Sequence, residues 1–260
     1  MKRLSAILII LAVSLQARAQ FLNFTSEQVC NSYQGLVPSF GFTEYWRFLE
    51  TSGTSAATMI GSDTGTYEGS PTLNQLGPLV MPSKSITLNG TSQYVTSNAS
   101  MTGPNTFTLL IWFKTTTTKG GKLIGFGNAK TGNSSNYDRH IYMTNGGNII
   151  FGVYPGAVKT ITSPSTYNNG IWHMAVATLS GSGMFLYMDG AQVASNAGVT
   201  SAQVYNGYWR MGEDNLNGWT SQPSSMFFAG SIAEVAVSTT TAVSAVNIKT
   251  LYDIGKYCHN

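Results

Sequence analysis

Charge is scarce here: only 10% of the 260 residues are charged, 14 basic against 11 acidic. Residues 1–19 hold Lys2, Arg3 and Arg18 and no acid, so the remainder carries 11 basic residues against 11 acidic ones. A neutral chain offers no electrostatic pull toward nucleic acid or an anionic membrane, and no nucleic-acid partner is expected. Histidine is nearly absent. His140, His173 and His259 are the only three, none in a nucleophile setting such as G-x-S-x-G and none at zinc-ligand spacing. Long apolar runs are missing beyond the first residues, so stable membrane insertion is not expected.

What is present argues for a folded chain. The hydrophobic share is 42%, with aromatics spread along the whole length, so low charge does not mean disorder. The exterior is expected to be built of hydroxyls and amides. Lys2 and Arg3, the apolar run Leu4 to Leu15 and the A-x-A site Ala17-Arg18-Ala19 read as a cleaved export signal over residues 1–19. The alternative, a membrane anchor, is disfavoured because the run is short for a bilayer. The mature protein is expected to start near Gln20 and be secreted, with cell-surface or periplasmic retention left open. The two cysteines, Cys30 and Cys258, stand at opposite ends of that chain. In an oxidising compartment an isolated pair is expected to bridge, worth about 5 kcal/mol at most by loop closure. The competing reading is two inert or intermolecular thiols. With no spare thiol, a monomer is expected.

From about Thr43 the pattern has period two. "FTLLIWFK" (107–114) puts Phe107, Leu109, Ile111 and Phe113 on one face, "WHMAVATL" (172–179) alternates likewise, and so does "MFLYMDG" (184–190). Asn145-Gly146-Gly147 and Asp189-Gly190 are hairpin signals, because these residues accept positive φ. The pattern predicts an all-β sandwich, each strand burying one face and leaving the outer one free. One helix is predicted in "AVSAVNIKTLYDIG" (242–255), with Val243, Val246, Ile248 and Leu251 at helical spacing and Gly255 ending it. Residues 20–42 read as a lead-in, and 43–260 as one domain.

"EYWRFLETSGTSAATMIG" (44–61), "SITLNGTSQYV" (85–95), "FTLLIWFK", "GIWHMAVATL", "LYMDG", "YWRMGEDNLNGW" (208–219) and "FFAGSIAEVAV" (227–237) follow one another in a family order. Together they resemble the laminin-G-like, concanavalin A-like jelly-roll domains of exported bacterial proteins, over about residues 43–255. The resemblance implies an all-β, two-sheet antiparallel jelly roll. It also implies a structural calcium in many relatives, held near the opening turn and a closing "G-x-I-D-E" strand. This chain has Thr58 where Asp is common, and Ala233 in place of the closing Asp. Glu50, Asp63 and Glu234 are the carboxylates left for calcium. No cofactor is expected to be required.

Hydrolysis needs two carboxyls about 5–5.5 Å apart in a retaining enzyme, most simply delivered by alternate strand positions. No strand carries such a pair, since Glu213 and Asp214 are adjacent. Sugar binding needs aromatic faces and fixed polar groups. "DRHIYMTN" (138–145) sends His140 and Tyr142 outward, and "NIIFGVY" (148–154) does the same for Tyr154. With Tyr208, Arg210, Glu213, Asp214 and Trp219 they form the candidate ligand-binding set, Trp219 reading first as a packing anchor for its loop. The leading expectation is a secreted, non-enzymatic module binding glycan or glycoprotein, as in adhesion. A carbohydrate-active enzyme and a purely structural protein-docking domain are the alternatives.

Overall fold

A computed structural model describes residues 26–79 and 83–258, and the side chains of residues 26–31 are outside that description. The expected signal segment lies wholly outside the described residues. The chain opens on helix α1 (Ser26–Ser39) and continues through β1 (Glu44–Trp46), β2 (Ser55–Ala56), β3 (Thr58–Ile60), β4 (Gly65–Glu68), β5 (Thr72–Leu76) and β6 (Lys84–Asn89). Next come β7 (Tyr94–Ser97), β8 (Met101–Thr102), β9 (Phe107–Lys114), β10 (Gly121–Gly127), β11 (Tyr137–Met143) and β12 (Asn148–Val153). It ends with β13 (Lys159–Thr166), β14 (Trp172–Ser180), β15 (Gly183–Met188), β16 (Ala191–Asn196), β17 (Asn206–Met211), β18 (Ala229–Ser238) and helix α2 (Ala245–Tyr257).

Two nine-stranded antiparallel sheets stack as a jelly-roll sandwich. One runs β16-β15-β14-β9-β18-β1-β3, with β6 added to β18 and β5 to β6. The other runs β13-β12-β11-β10-β17-β7-β4-β2, with β8 added to β17. The hairpin signals act where expected: Asp189 (φ 52°) and Gly190 (φ 78°) turn β15 into β16. Between the sheets, Phe107, Leu109, Ile111 and Phe113 meet Ile141, Met143, Ile149, Phe151, Trp209 and Met211 in one core. Phe107 and Phe151 touch edge to face across the layers at 6.0 Å.

Alternation alone implied free outer faces, and here the structure differs. Leu110, Trp112, Met174, Val176 and Tyr187 form a second core with Tyr33, Val37, Ile248 and Leu251 of the two helices. This sheet is covered, which is why "FTLLIWFK" reads as almost unbroken hydrophobic sequence. The lead-in thus contains a helix that the sequence reading missed. Its buried face, Tyr33 and Val37 with the partly buried Leu36 and Phe40, does have helical spacing, but Gly35 and Pro38 interrupt the pattern. Tyr33 accepts a hydrogen bond from Trp112 Nε1 at 2.8 Å, and Gln34 accepts one from Arg47 at 2.7 Å. Helix α1 also packs on α2, bringing the segment that carries Cys30 toward the buried Cys258.

The C-terminal helix begins later than predicted, after Ser244, whose side chain caps Asn247 N–H. Val246 is 74% exposed and does not belong to the buried face. Gly255 does not end the helix, which runs on to Tyr257. Its role is clearance: a Cβ there would come within 2.5 Å of Trp112 Cζ2. Helix propensity favours alanine over glycine by about 1 kcal/mol in a helix interior. Overpacking a core costs about 1–3 kcal/mol and should win here. Gly255→Ala is therefore expected to lower stability in urea unfolding, whereas a rise would show that α2 is not seated on Trp112 as described.

Candidate functional site

The second sheet is covered by a loop instead of helices. Two glycines make room for it, since a Cβ at Gly152 would lie 2.5 Å from Trp219 Cζ3 and one at Gly127 would strike Asp214, while Gly125 clears His140 Cβ on the neighbouring strand. Trp219 lies across His140, ring centroids 4.0 Å apart at 72°, and His140 meets Tyr142 edge to face at 5.3 Å. Leu216 and Trp219 complete a small apolar cluster with Tyr142 and Ile150. Burying an indole is worth about 5 kcal/mol, from roughly 200 Å² at about 25 cal/mol per Å². Ordering a loop costs about 1–2 kcal/mol per residue, so further bonds are needed. Tyr142 donates to Thr220 O at 2.6 Å, and Tyr137 to Asn217 O at 2.9 Å. Asp214 Oδ1 accepts from the N–H groups of Ser134 and Asn215 at 2.9 and 2.7 Å, tying two loops together.

Beneath the loops sits a buried charged group. Arg210 pairs with Glu213, donates to Ala129 O and Gly132 O at 2.8 and 3.0 Å, and lies 4.6 Å from the Tyr94 ring centroid. Lys122 Nζ is 3.6 Å from Asp214 Oδ2, an ion pair too long for a hydrogen bond. Burial pushes the Lys122 ammonium below its ordinary range, with Asp214 opposing. Burial raises the Glu213 carboxyl, with Arg210 opposing. His140 is held well below the usual histidine range, first by burial and then by the charge of Lys122.

These positions correct the sequence reading. His140, Tyr142, Arg210, Glu213 and Asp214, expected at an open face, are all buried. Glu213 and Asp214 serve different partners, Arg210 and Lys122. Tyr208, half-buried on β17, does not line the recess described next. The three carboxylates considered for calcium do not converge. Glu234 serves Arg47, Tyr45 and Ser83; Glu50 accepts from Tyr67 and Ala57 N–H; and Asp63 accepts from the N–H groups of Asn98 and Ala99. Among the described residues no group of three or more His, Cys, Asp or Glu side chains could hold a metal.

Two of the expected residues, Tyr154 and Trp219, do meet, where the covering loop reaches the edge of the sheet. They line an open recess of about 370 Å³ together with Tyr137, Asn136, Gln203 and Asn217. That volume lies within the range of small-ligand sites. Gln203 donates to Asn136 Oδ1 at 3.1 Å and Asn217 Oδ1 accepts from Gln222 at 3.1 Å. Among the described residues, the side-chain NH2 groups of Asn136 and Asn217 and the Gln203 side-chain carbonyl have no hydrogen-bond partner. Behind the recess, Asp138 Oδ2 accepts from the N–H groups of Tyr154 and Gln203 at 3.2 and 3.0 Å, while Oδ1 takes Arg139 and Tyr205.

The family model described as "Concanavalin A-like lectin/glucanases superfamily", of laminin G type, matches residues 89–249, more than half of the chain. The chain belongs to this superfamily. Among solved structures, Trypanosoma rangeli sialidase with 2,3-difluorosialic acid aligns at TM-score 0.54 and 13% identity, over 83% of this chain and 33% of the sialidase. The receptor binding domain of botulinum neurotoxin mosaic serotype C/D aligns at TM-score 0.56 and 14% identity, over 82% and 50%. The binding domain of botulinum neurotoxin DC in complex with SialylT aligns at TM-score 0.56 and 12% identity, over 83% and 52%. The chain thus spans a third to about half of those proteins, and the likeness is one of fold. Comparison with curated proteins gives no match.

Asn136, Tyr137, Gln203 and Asn217 were missed from the sequence of this concanavalin A-like member. Only Tyr154 and Trp219 marked the place, because the four residues come from three separate stretches, the start of β11 with the loop before it and the loops on either side of β17, that the fold brings together. His140 sets a measurable property of the covering loop. The unfolded chain binds a proton below about pH 6.5 that the folded chain refuses, so stability falls as pH is lowered from there, by up to about 1.4 kcal/mol per unit. Neither imidazole nitrogen has a hydrogen-bond partner among the described residues. His140→Leu should therefore flatten the decline between pH 7 and 5 in urea titrations, and an unchanged slope would reject a neutral, buried imidazole.

Proposed function

We propose that this chain is a non-enzymatic recognition module that binds carbohydrate in the recess between Tyr137, Tyr154 and Trp219. The observation that carries the reading is the meeting of aromatic rings with uncommitted amides in one open recess. Rings cover the apolar side of a pyranose and amides satisfy its hydroxyls. Membership of a lectin and glucanase superfamily supports it, as do neighbours whose own ligands are a sialic acid derivative and a sialylated compound. Turnover through a carboxyl pair, the route of most glycoside hydrolases, is disfavoured because Asp138, Asp214 and Glu213 are buried and bonded to protein groups. No metal is assigned a role, since Glu50, Asp63 and Glu234 each serve donors of the protein. Tyr154→Ala is expected to weaken glycan binding at least tenfold, roughly 1.4 kcal/mol, without loss of folding, and binding should persist in EDTA. Glycan-array signal that survives Tyr154→Ala, or cleavage of a polysaccharide panel, would count against the reading.

The same proposal includes the setting. Residues 1–19 direct export, the mature chain acts as a monomer toward glycan or glycoprotein in an adhesive role, and Cys30 bridges Cys258. The packing of α1 on α2 and the burial of Cys258 support the bridge. Thiol counting on the denatured exported protein should find no titratable thiol before reduction and two after it. Two thiols before reduction would exclude the bridge.

A further inference from the structure

We infer that the recess selects uncharged sugars and rejects acidic ones such as sialylated, sulfated or uronate-bearing glycans. This rests on the carbohydrate-binding reading above and narrows it to a ligand class.

An anionic sugar leaving water needs charge-assisted donors in exchange, most effectively the fork of an arginine. Among the described residues that line the recess, none carries a charge: its polar side chains are amides and hydroxyls. Two buried cations beside it are already used, while the exposed Lys159, next to the lining residue Val158, pairs across the strands with core-facing Val153 and so belongs to the other face of the sheet. Arg139 is fully buried and directs its donors to Asp138, Pro104 O, Gly103 O and Gln203 O. Lys122 is fully buried, 5.9 Å from the centroid of the Tyr137 ring, and pairs with Asp214. Neither can reach an incoming carboxylate without leaving a buried acid unpaired, which is costly.

Two backbone donors on its wall are taken as well: the N–H groups of Tyr154 and Gln203 both point at Asp138 Oδ2. The protein's own carboxylate therefore occupies the place a ligand carboxylate would need. What remains for a ligand is balanced between donor and acceptor: the Asn136 and Asn217 amide groups can donate, and the Gln203 carbonyl can accept. A neutral hydroxyl both donates and accepts, so this set suits it. Tyr154 and Tyr137 supply ring surface, while Trp219, 5% exposed, mainly fixes the wall. The neighbours crystallised with sialic acid derivatives or sialylated ligands thus share the fold of this chain and not the charge of its ligand.

The test is an array of neutral glycans beside their sialylated, sulfated and uronate-bearing counterparts, probed with the full mature chain and with Tyr154→Ala, followed by titration of each hit. Neutral glycans should bind, acidic capping should weaken binding at least roughly tenfold, and the neutral affinity should not change between low and high salt. Preference for acidic glycans that falls with salt and is lost in Tyr154→Ala would overturn the inference while leaving the recess as the site. No glycan bound, or binding indifferent to Tyr154→Ala, would remove the recess reading and this inference with it. Folding of the variant is checked by its unfolding transition.

Discussion

The seat of Trp219 on the loop-covered sheet governs the shape of the open recess. Gly152 leaves a bare patch of backbone, the indole fills it, and His140 supports the ring from beside it. Because the ring is fixed, the segment after β17 must lie flat, and its carbonyls at Asn217 and Thr220 come within reach of Tyr137 and Tyr142. Asp214 then ties this segment to the neighbouring loop through Ser134. Together these contacts bury five polar side chains and leave one recess along their margin. A side chain at Gly152 would displace the ring and with it the wall of that recess.

The opposite sheet solves a different problem. Its outer face is apolar, and two helices from the ends of the chain cover it. Close approach is again secured by a missing side chain, at Gly255 against Trp112. The buried group of Glu234 with Arg47, Tyr45 and Ser83 adds direction to this packing, linking the first strand to the last. Such a group is weak evidence for stability and fits better as a device that fixes register. With the central strands of both outer faces covered, the open recess lies at a rim.

Much of the architecture was legible. Alternation in β9, β11, β12, β14, β15 and β17 placed Phe113, Ile141, Phe151 and Met211 in the core, because a strand's two faces are set by parity alone. Parity also said that His140, Tyr142 and Arg210 leave the core. It could not say what lies above them. Helix α1 escaped notice because Gly35 and Pro38 break a pattern only two turns long.

By itself, the sequence determined the two-layer antiparallel sandwich, the hairpin positions, the C-terminal helix and the direction in which each strand residue points. These follow from local chemistry, namely side-chain period, turn residues and the order of segments. Only the tertiary structure decided which outward residues meet solvent. Coverage depends on contacts between segments far apart in the chain, such as Trp219 with Gly152 or Tyr33 with Trp112. The same cause turned Glu213 and Asp214 into internal fasteners and assembled Asn136, Tyr137, Tyr154, Gln203 and Asn217 around one recess. No local pattern encodes such a meeting, because it exists only once the loops have closed on the sheet.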